Sequence, residues 1–555
     1  MEGKGMEPRP SLEAAPVHPH EALPNETIVD EHSLSQHSSH SSSHGRDAED
    51  QIPPAQSQSQ TGIDKAIVVP RLNRRGLFGQ ITLLEEVVDP KTYPRSKKWF
   101  ITFVVAVAGS VAPMGSSIFF PALSQVRDDL NSTTLITNLT ISLYMLSMAI
   151  FPLWWSSFSE RLGRRTIYIT SFTIFVVFGV LCAVSSSISM LIVMRLLSGG
   201  ASASVQAVGA GTIADVWEVR ERGRAMGIFY LGPLAGPLIA PIVGGALAQR
   251  WGWRSTMWFF TVFGAAVLGL VLLGLPETLK NTKPLLPEPT ITTEDDQGRT
   301  LSRVSSRQVI GATARYLKVA KIVIIDPLKI ILYLRYLPVL LTVYYAAITF
   351  GSLYVLNVSI ENTFHQDPYN FSTIIVGLLY IPNSLGYVVS SIFGGKWIDS
   401  IMVREAKKAG RYDEKGQLIF RPEDRMRENA WVGAMLYPAG LIWYGWTAEK
   451  GVFWLAPMIA NFFFGVGSML IFSMVTTMLT EQMPKRASEG VALNNFTRNI
   501  FSCVGSFVTA PIIDGIGNGW LFTILGIVAF LSSGVIIIMK VFGSRWKEQM
   551  NELMQ

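Results

Sequence analysis

Long apolar runs fill the chain from about residue 98 onward, each near the 20 residues that a helix needs to cross a bilayer. They predict twelve transmembrane helices, at roughly 98–122, 134–155, 166–187, 189–211, 225–248, 254–275, 336–360, 372–395, 429–448, 451–479, 490–512 and 518–542. A polar stretch of about 60 residues divides the sixth from the seventh. The arrangement is six, linker, six: an N-terminal bundle over 96–276, a cytoplasmic linker over 277–335, and a C-terminal bundle over 336–543 with a long cytoplasmic loop at about 399–428. Ahead of the first run, "HSLSQHSSHSSSHG" and "QIPPAQSQSQ" hold too few large apolar residues to bury a core, so a disordered tail is expected over 1–95. A short cytoplasmic tail is expected over 544–555. The first 60 residues lack the apolar segment of a secretory signal peptide, which leaves insertion to the first span.

Composition agrees with an all-α polytopic membrane protein: 49% of the residues are hydrophobic and only 16% charged. The net charge of +6 sorts by loop. Arg161, Arg164 and Arg165 lie between spans 2 and 3, Arg220, Arg222 and Arg224 between spans 4 and 5, and Lys485 and Arg486 between spans 10 and 11. The opposite side carries Arg127, Arg250, Arg254 and Lys450. Positive charge inside places both termini in the cytosol, so the basic balance reads as topology and calls for no nucleic-acid partner. Asn131 and Asn370 head sequons in outer loops and are expected to carry glycans, whereas Asn138, Asn357 and Asn495 fall within or beside spans. Cys182 and Cys503 lie in apolar runs, and six of the seven histidines sit in the tail without ordered spacing. No disulfide framework, metal site or cofactor is expected.

The fifth span reads "GPLAGPLIAPIVGG", with Pro233, Pro237 and Pro241 at intervals of four. Each proline removes a backbone donor and frees the carbonyl four residues earlier, while the small residues Gly232, Gly236 and Ala240 before them relieve the clash. With Gly244 and Gly245 they predict a bent, smooth-faced helix that a second helix can approach backbone to backbone. Two polar clusters echo one another: "SSFSERLGRR" leaves span 2 with Glu160, Arg161, Gly163, Arg164 and Arg165, and "GGKWIDS" leaves span 8 with Asp399. This is the internal symmetry of two parallel six-span repeats around a central path. Asp215 ends span 4, so Arg161 or a neighbour can bridge Glu160 and Asp215 in one conformation only. Such a cytoplasmic latch would bias an alternating-access equilibrium; ordinary positive-inside charge is the alternative.

These motifs resemble the major facilitator superfamily, over all twelve spans. "SSFSERLGRR" is similar to the loop signature G-x-L-a-D-R-x-G-R-R, departing from it at Ser156, where glycine is usual, and at Glu160, where aspartate is usual. "RLLSGGASA", from Arg195, is similar to the span 4 signature, and the span 5 stretch matches a signature associated with exporters that exchange substrate for protons. Within the superfamily the chain resembles the fungal drug:proton antiporters of the quinidine-resistance and dityrosine-transporter group. The resemblance implies the twelve-helix major facilitator fold and proton-driven export of small organic compounds and drugs across the plasma membrane by a monomer. An exporter dedicated to one metabolite, such as an amino-acid conjugate or polyamine, and a receptor-like protein that carries little remain as alternatives. The spans hold no nucleophile, metal or acid–base cluster of an enzyme.

Arg195 lies about seven residues into span 4, and Arg498 stands in "NNFTRNIFS" one turn after Asn494 and Asn495. With Asn383 and Tyr344 they are the candidates for substrate contact. No Asp, Glu or His falls inside an apolar run, so a coupling carboxylate is expected at a span end: Asp128, Asp129, Glu361 and Asp514 are the candidates, each of which also reads as a solvated cap. Two arginines without an acid in any span predict a site that takes carboxylate-bearing, zwitterionic or neutral compounds as readily as cationic drugs. The alternative is that an end acid such as Asp128 folds inward and neutralises Arg195.

Overall fold

The computed structural model describes residues 67–280, 325–412, 418, 419, 424, 426–483 and 487–554, within one compact unit that begins at Asp64. Among the described residues the regular structure is helical, with two isolated bridges, Val68 to Val87 and Tyr412 to Leu418. The N-terminal half comprises α1 (Arg95–Ser117), α2 (Leu123–Asp129), α3 (Thr134–Leu162), α4 (Arg164–Ala183), α5 (Ile188–Ser202), α6 (Ser204–Val216), α7 (Val219–Trp251) and α8 (Trp253–Gly274). The C-terminal half comprises α9 (Leu337–Phe364), α10 (Thr373–Leu378), α11 (Ile381–Val389), α12 (Gly395–Lys408), α13 (Glu428–Glu449), α14 (Leu455–Gln482), α15 (Ala487–Ser532) and α16 (Gly534–Met554). Short connectors punctuate them where the chemistry predicts: Thr133 and Ser187 cap α3 and α5 by accepting from the amides of Ile136 and Met190.

Among the described residues, ten helical stretches are long and apolar enough to cross a membrane. The last, Glu489–Gly543, is broken at Gly517, whose φ of +79° only glycine adopts freely, so the two final expected spans are joined in it. Helix α13, 22 residues with Pro438 inside, falls outside the ten. These two places account for the difference between ten stretches and twelve expected spans. Expected span 4 is continuous in sequence but divided between α5 and α6, and a π turn over Ser390–Gly394 joins α11 to α12.

The tail expected to be disordered reached residue 95, whereas from residue 67 the chain packs as a strap. Val87 and Tyr93 are buried, and Leu83 N–H donates to the carbonyl of Leu273 at 2.8 Å. The reason lies in α8, whose last carbonyls have no partner within the helix. The strap and Arg165 supply the donors. At the other terminus α16 continues to Met554, through the expected tail. The histidine-rich tract and most of the central linker lie outside the described residues.

Helix α7 passes through its three prolines unbroken and presses its small residues on α1. A Cβ on Gly232 would overlap the carbonyl oxygen of Ala106, and one on Gly244 that of Ile118; on Gly236 it would stand 3.0 Å from Met114 N and Ser110 O. Gly245 faces the other half, 2.8 Å from the Thr373 carbonyl of α10 by the same measure. The smooth face therefore serves two contacts, one inside the N-terminal half and one across the seam.

Candidate functional site

The seam between the halves is bonded at one end, here the far end. Ser116 Oγ and Tyr354 OH are 3.0 Å apart, Gln125 Nε2 donates to Thr373 Oγ1 at 3.2 Å, and Ile374 N–H donates to Gln249 Oε1 at 2.9 Å. Phe120 stacks on Tyr380 at 5.9 Å. Glu361 is also here, buried on α9, accepting at 3.0 Å from the Ser124 amide at the start of α2. Midway along, Ser142 and Ser506 hydroxyls meet at 2.9 Å and Asn499 Nδ2 donates to the Met148 carbonyl at 3.3 Å.

The opposite end holds the loop motif. Gly163 closes α3 with φ +94°, which turns the chain so that the amides of Arg164 and Arg165 point at Glu277. That carboxylate accepts from four backbone N–H groups, those of Arg164 (2.9 Å), Arg165 (3.2 Å), Thr278 and Leu279 (both 3.0 Å), and so caps the N-terminus of α4. Burial pushes the Glu277 carboxyl above its ordinary range, while the amides pull the other way. Arg164 Nε then reaches Asp215 Oδ2 at 3.0 Å and its Nη1 reaches Ser159 Oγ at 2.6 Å. Arg165 is buried and donates to the carbonyls of Leu77 and Phe78 in the strap and of Val271, Leu272 and Leu275 at the end of α8. The expected bridge to Asp215 thus comes from Arg164; Arg161 leaves a buried Nη1 without a hydrogen-bond partner among the described residues. Glu160 is half-buried on the last turn of α3. Asp399 lies on α12, its side chain outside the described residues.

The two span arginines have opposite surroundings. Arg195 is fully enclosed in the N-terminal half. Its Nη2 donates to Gly115 O at 3.0 Å, one of the last carbonyls of α1, and its Nε to Thr140 O at 3.3 Å, with the rings of Phe119 (4.4 Å) and Tyr144 (4.8 Å) against its plane. It neither snorkels nor meets Asp128, which pairs with Arg127 at 3.0 Å. Arg498 is half-buried on α15, stacked on Phe350 (4.1 Å) and Phe472 (5.2 Å), and its buried Nε has no hydrogen-bond partner among the described residues. Tyr354 of α9, Tyr387 of α11 and Tyr230 of α7 lie within its electrostatic reach, the last from the opposite half.

Of the other candidates, Asn494 and Asn383 are buried with Oδ1 atoms that have no hydrogen-bond partner among the described residues, Asn495 is half-buried, and Tyr344 OH lies 3.1 Å from Ser532 Oγ. Asp129 is held by Trp253 Nε1 (2.9 Å) and Arg254 Nη1 (2.6 Å), and Asp514 is exposed. Asn131 and Asn370 are exposed on turns with positive φ, +46° and +48°. Sequence reasoning missed Glu277, Asn499 and the aromatic cage. The cage had a signal, since Phe350 and Tyr354 are one turn apart in span 7.

Comparison with known proteins bears on this geometry. The model of the Major Facilitator Superfamily matches residues 105–506. The chain is 35% identical to the MFS antiporter QDR3 of Candida albicans, over 86% of this chain and 83% of that one, and 31% identical to Quinidine resistance protein 3 of Saccharomyces cerevisiae, over 87% of each. It is 29% identical to the efflux pump radE of Floropilus chiversii, over 83% of each. Among solved structures the crystal structure of a D-xylose-proton symporter superposes with a TM-score of 0.56 at 13% identity, covering 79% of this chain and 97% of that one. A partially occluded inward-open structure of an E. coli xylose transporter gives 0.53 at 13% identity, covering 80% and 99%. These two likenesses concern the fold.

Proposed function

Since the chain belongs to the major facilitator superfamily and is a membrane transporter, not an enzyme, we propose that it exports small organic compounds and drugs across the plasma membrane in exchange for protons. The latch end faces the cytosol in this reading, with both termini, and the far end faces outward. One observation carries it: behind a far end bonded shut across the halves stands Arg498, half-buried, stacked on Phe350 and Phe472, with Tyr230 of the opposite half within electrostatic reach and a buried Nε that has no hydrogen-bond partner among the described residues. A guanidinium among rings suits planar compounds, whose faces stack while a polar group takes the free donor.

Alternating access needs contacts present in one state and absent in the other. The Ser116, Gln125 and Gln249 bonds across the halves serve at the far end, while the Arg164–Asp215 pair, formed alongside them within the N-terminal half, sets the loop motif at the latch end. The face of α7 from Gly232 to Gly245 is the sealing surface, and Arg195 keeps α1, α3 and α5 together as the halves rock. Asn131 and Asn370, exposed outside, accept glycans, and the transporter works as a monomer. A dedicated metabolite exporter is the second reading; Arg498, which has no ion pair among the described residues and a buried Nε without a hydrogen-bond partner there, favours it where the metabolite is an organic acid.

Everted plasma-membrane vesicles test the reading. A fluorescent aromatic compound should accumulate in them when the lumen is acidified, and accumulation should collapse when a protonophore removes the gradient. Accumulation that ignores the gradient, or is no greater than in vesicles lacking the protein, contradicts it.

A further inference from the structure

An exchange of substrate for protons needs a group that carries the proton, and Arg498 cannot, because a guanidinium stays charged. The four carboxylates expected at span ends separate cleanly. Asp128 and Asp129 are ion-paired and partly exposed, and Asp514 is exposed. Glu361 alone among the described acidic residues is buried inside a helix long and apolar enough to span the membrane. It lies on the seam, covered by α2 of the opposite half, and accepts from Ser124 N–H without an ion pair among the described residues. The charged and titratable groups facing it are Arg127 and Asp128 on α2, engaged with each other at 3.0 Å, and Tyr380 from the turn between α10 and α11; His365, one turn on, is engaged instead with Pro121 and Phe371.

Glu361 is also linked to the cavity. Phe350, Tyr354, Asn357 and Glu361 recur at helical spacing on one face of α9, and the ring that Arg498 stacks on is the first of them. Eleven residues separate the ends of this stripe, about 16 Å along the axis. Along it Asn357 keeps an unpartnered Oδ1 and its carbonyl accepts from Tyr380 OH at 2.9 Å.

We propose that Glu361 is the proton-carrying residue, protonated as the two halves close over it at the far end and releasing that proton before they part again. The proposal rests on the exporter reading above. Enclosing an ionised carboxylate without a cation is costly, whereas a protonated one still accepts from Ser124 N–H through Oε1 and holds its proton on Oε2. When the far end opens, Glu361 meets water and takes one proton from outside; closure buries it neutral. Substrate entering beside Arg498 coincides with loss of that proton to cavity water, and the ionised carboxylate then favours reopening. One proton enters for each turnover.

Two measurements on the full-length protein in liposomes test this. Substrate-for-substrate exchange without a gradient reports whether the chain transports at all; its absence in the wild type overturns the exporter reading. Glu361→Gln should lose at least tenfold of pH-driven accumulation, and the exchange it retains should no longer vary with pH, whereas Glu361→Asp should restore part of the accumulation with a shifted pH profile. Accumulation at wild-type level in Glu361→Gln overturns the assignment. Spin labels at Leu135→Cys and Gln366→Cys in a background lacking Cys182 and Cys503, one on each side of the far end, make the test independent of that variant's folding. In otherwise wild-type protein the short, closed distance should gain population as pH falls from 8 to 5. A population that does not move with pH overturns the proposal.

Discussion

Arg195 and Arg498 are the same residue, each within an apolar run of its own half, and they have opposite fates. Arg195 donates to carbonyls of α1 and α3 and to Met257 Sδ, lays its plane against two rings and is fully buried, so it is closed to a ligand in this state. Arg498 has rings but an idle Nε, on a helix that forms the seam. A charge inside a membrane protein is thus a functional candidate only after its partners are counted. Here the N-terminal half uses its arginine as internal bracing, and the C-terminal half presents its own to the path.

The largest effect that sharpens this contrast is on stability. Arg195→Ala should destabilise the detergent-purified protein by on the order of 2–5 kcal/mol, read as a strongly lowered thermal midpoint, because two buried acceptors and two ring faces lose their partner together. The same truncation at Arg498 should cost little stability. Next in size is the converse effect on transport: Arg498→Gln should raise the half-saturating concentration of an anionic aromatic substrate about tenfold and leave a neutral one within about twofold, the worth of one charge-assisted hydrogen bond. Equal losses for both compounds would erase the distinction between bracing and binding.

A smaller effect concerns the latch. Arg164→Ala should slow transport roughly three- to tenfold by removing the Asp215 contact, while Arg161→Ala should change it less than about twofold. In the double variant Arg164→Ala with Asp215→Asn the losses should be less than additive, as two ends of one contact require. Smallest is Tyr344→Phe, which loses a single hydroxyl contact to Ser532 inside the C-terminal half; transport should stay within about twofold and stability within about 1 kcal/mol.

How far these features were legible depends on where their partners lie. The spans were readable because membrane thickness imposes a length on each run. The approach of α7 to α1 was readable for a similar reason, since small residues at i, i+4 spacing leave little else for that face to do. Arg195 was not readable as bracing, because Gly115 and Thr140 contribute backbone carbonyls from other helices. The latch was legible only as Arg161 or a neighbour, because the turn at Gly163 that aims Arg164 at Asp215 is held by Glu277, 113 residues away. Glu361 read as a solvated cap because the apolar run stops at Ile360, while α9 continues one more turn under the cover of α2. The strap over 67–94 escaped because its role is to satisfy carbonyls at the end of α8, a need that polar composition does not advertise.

The most direct measurement is thiol labelling at position 498. In a background lacking Cys182 and Cys503, Arg498→Cys should react with a small water-soluble maleimide entering from the latch end, and a transported aromatic compound should slow that reaction at least fivefold. A cysteine at 498 that is unreactive, or that reacts at the same rate whether or not the compound is present, would contradict the placement of Arg498 in the transport path.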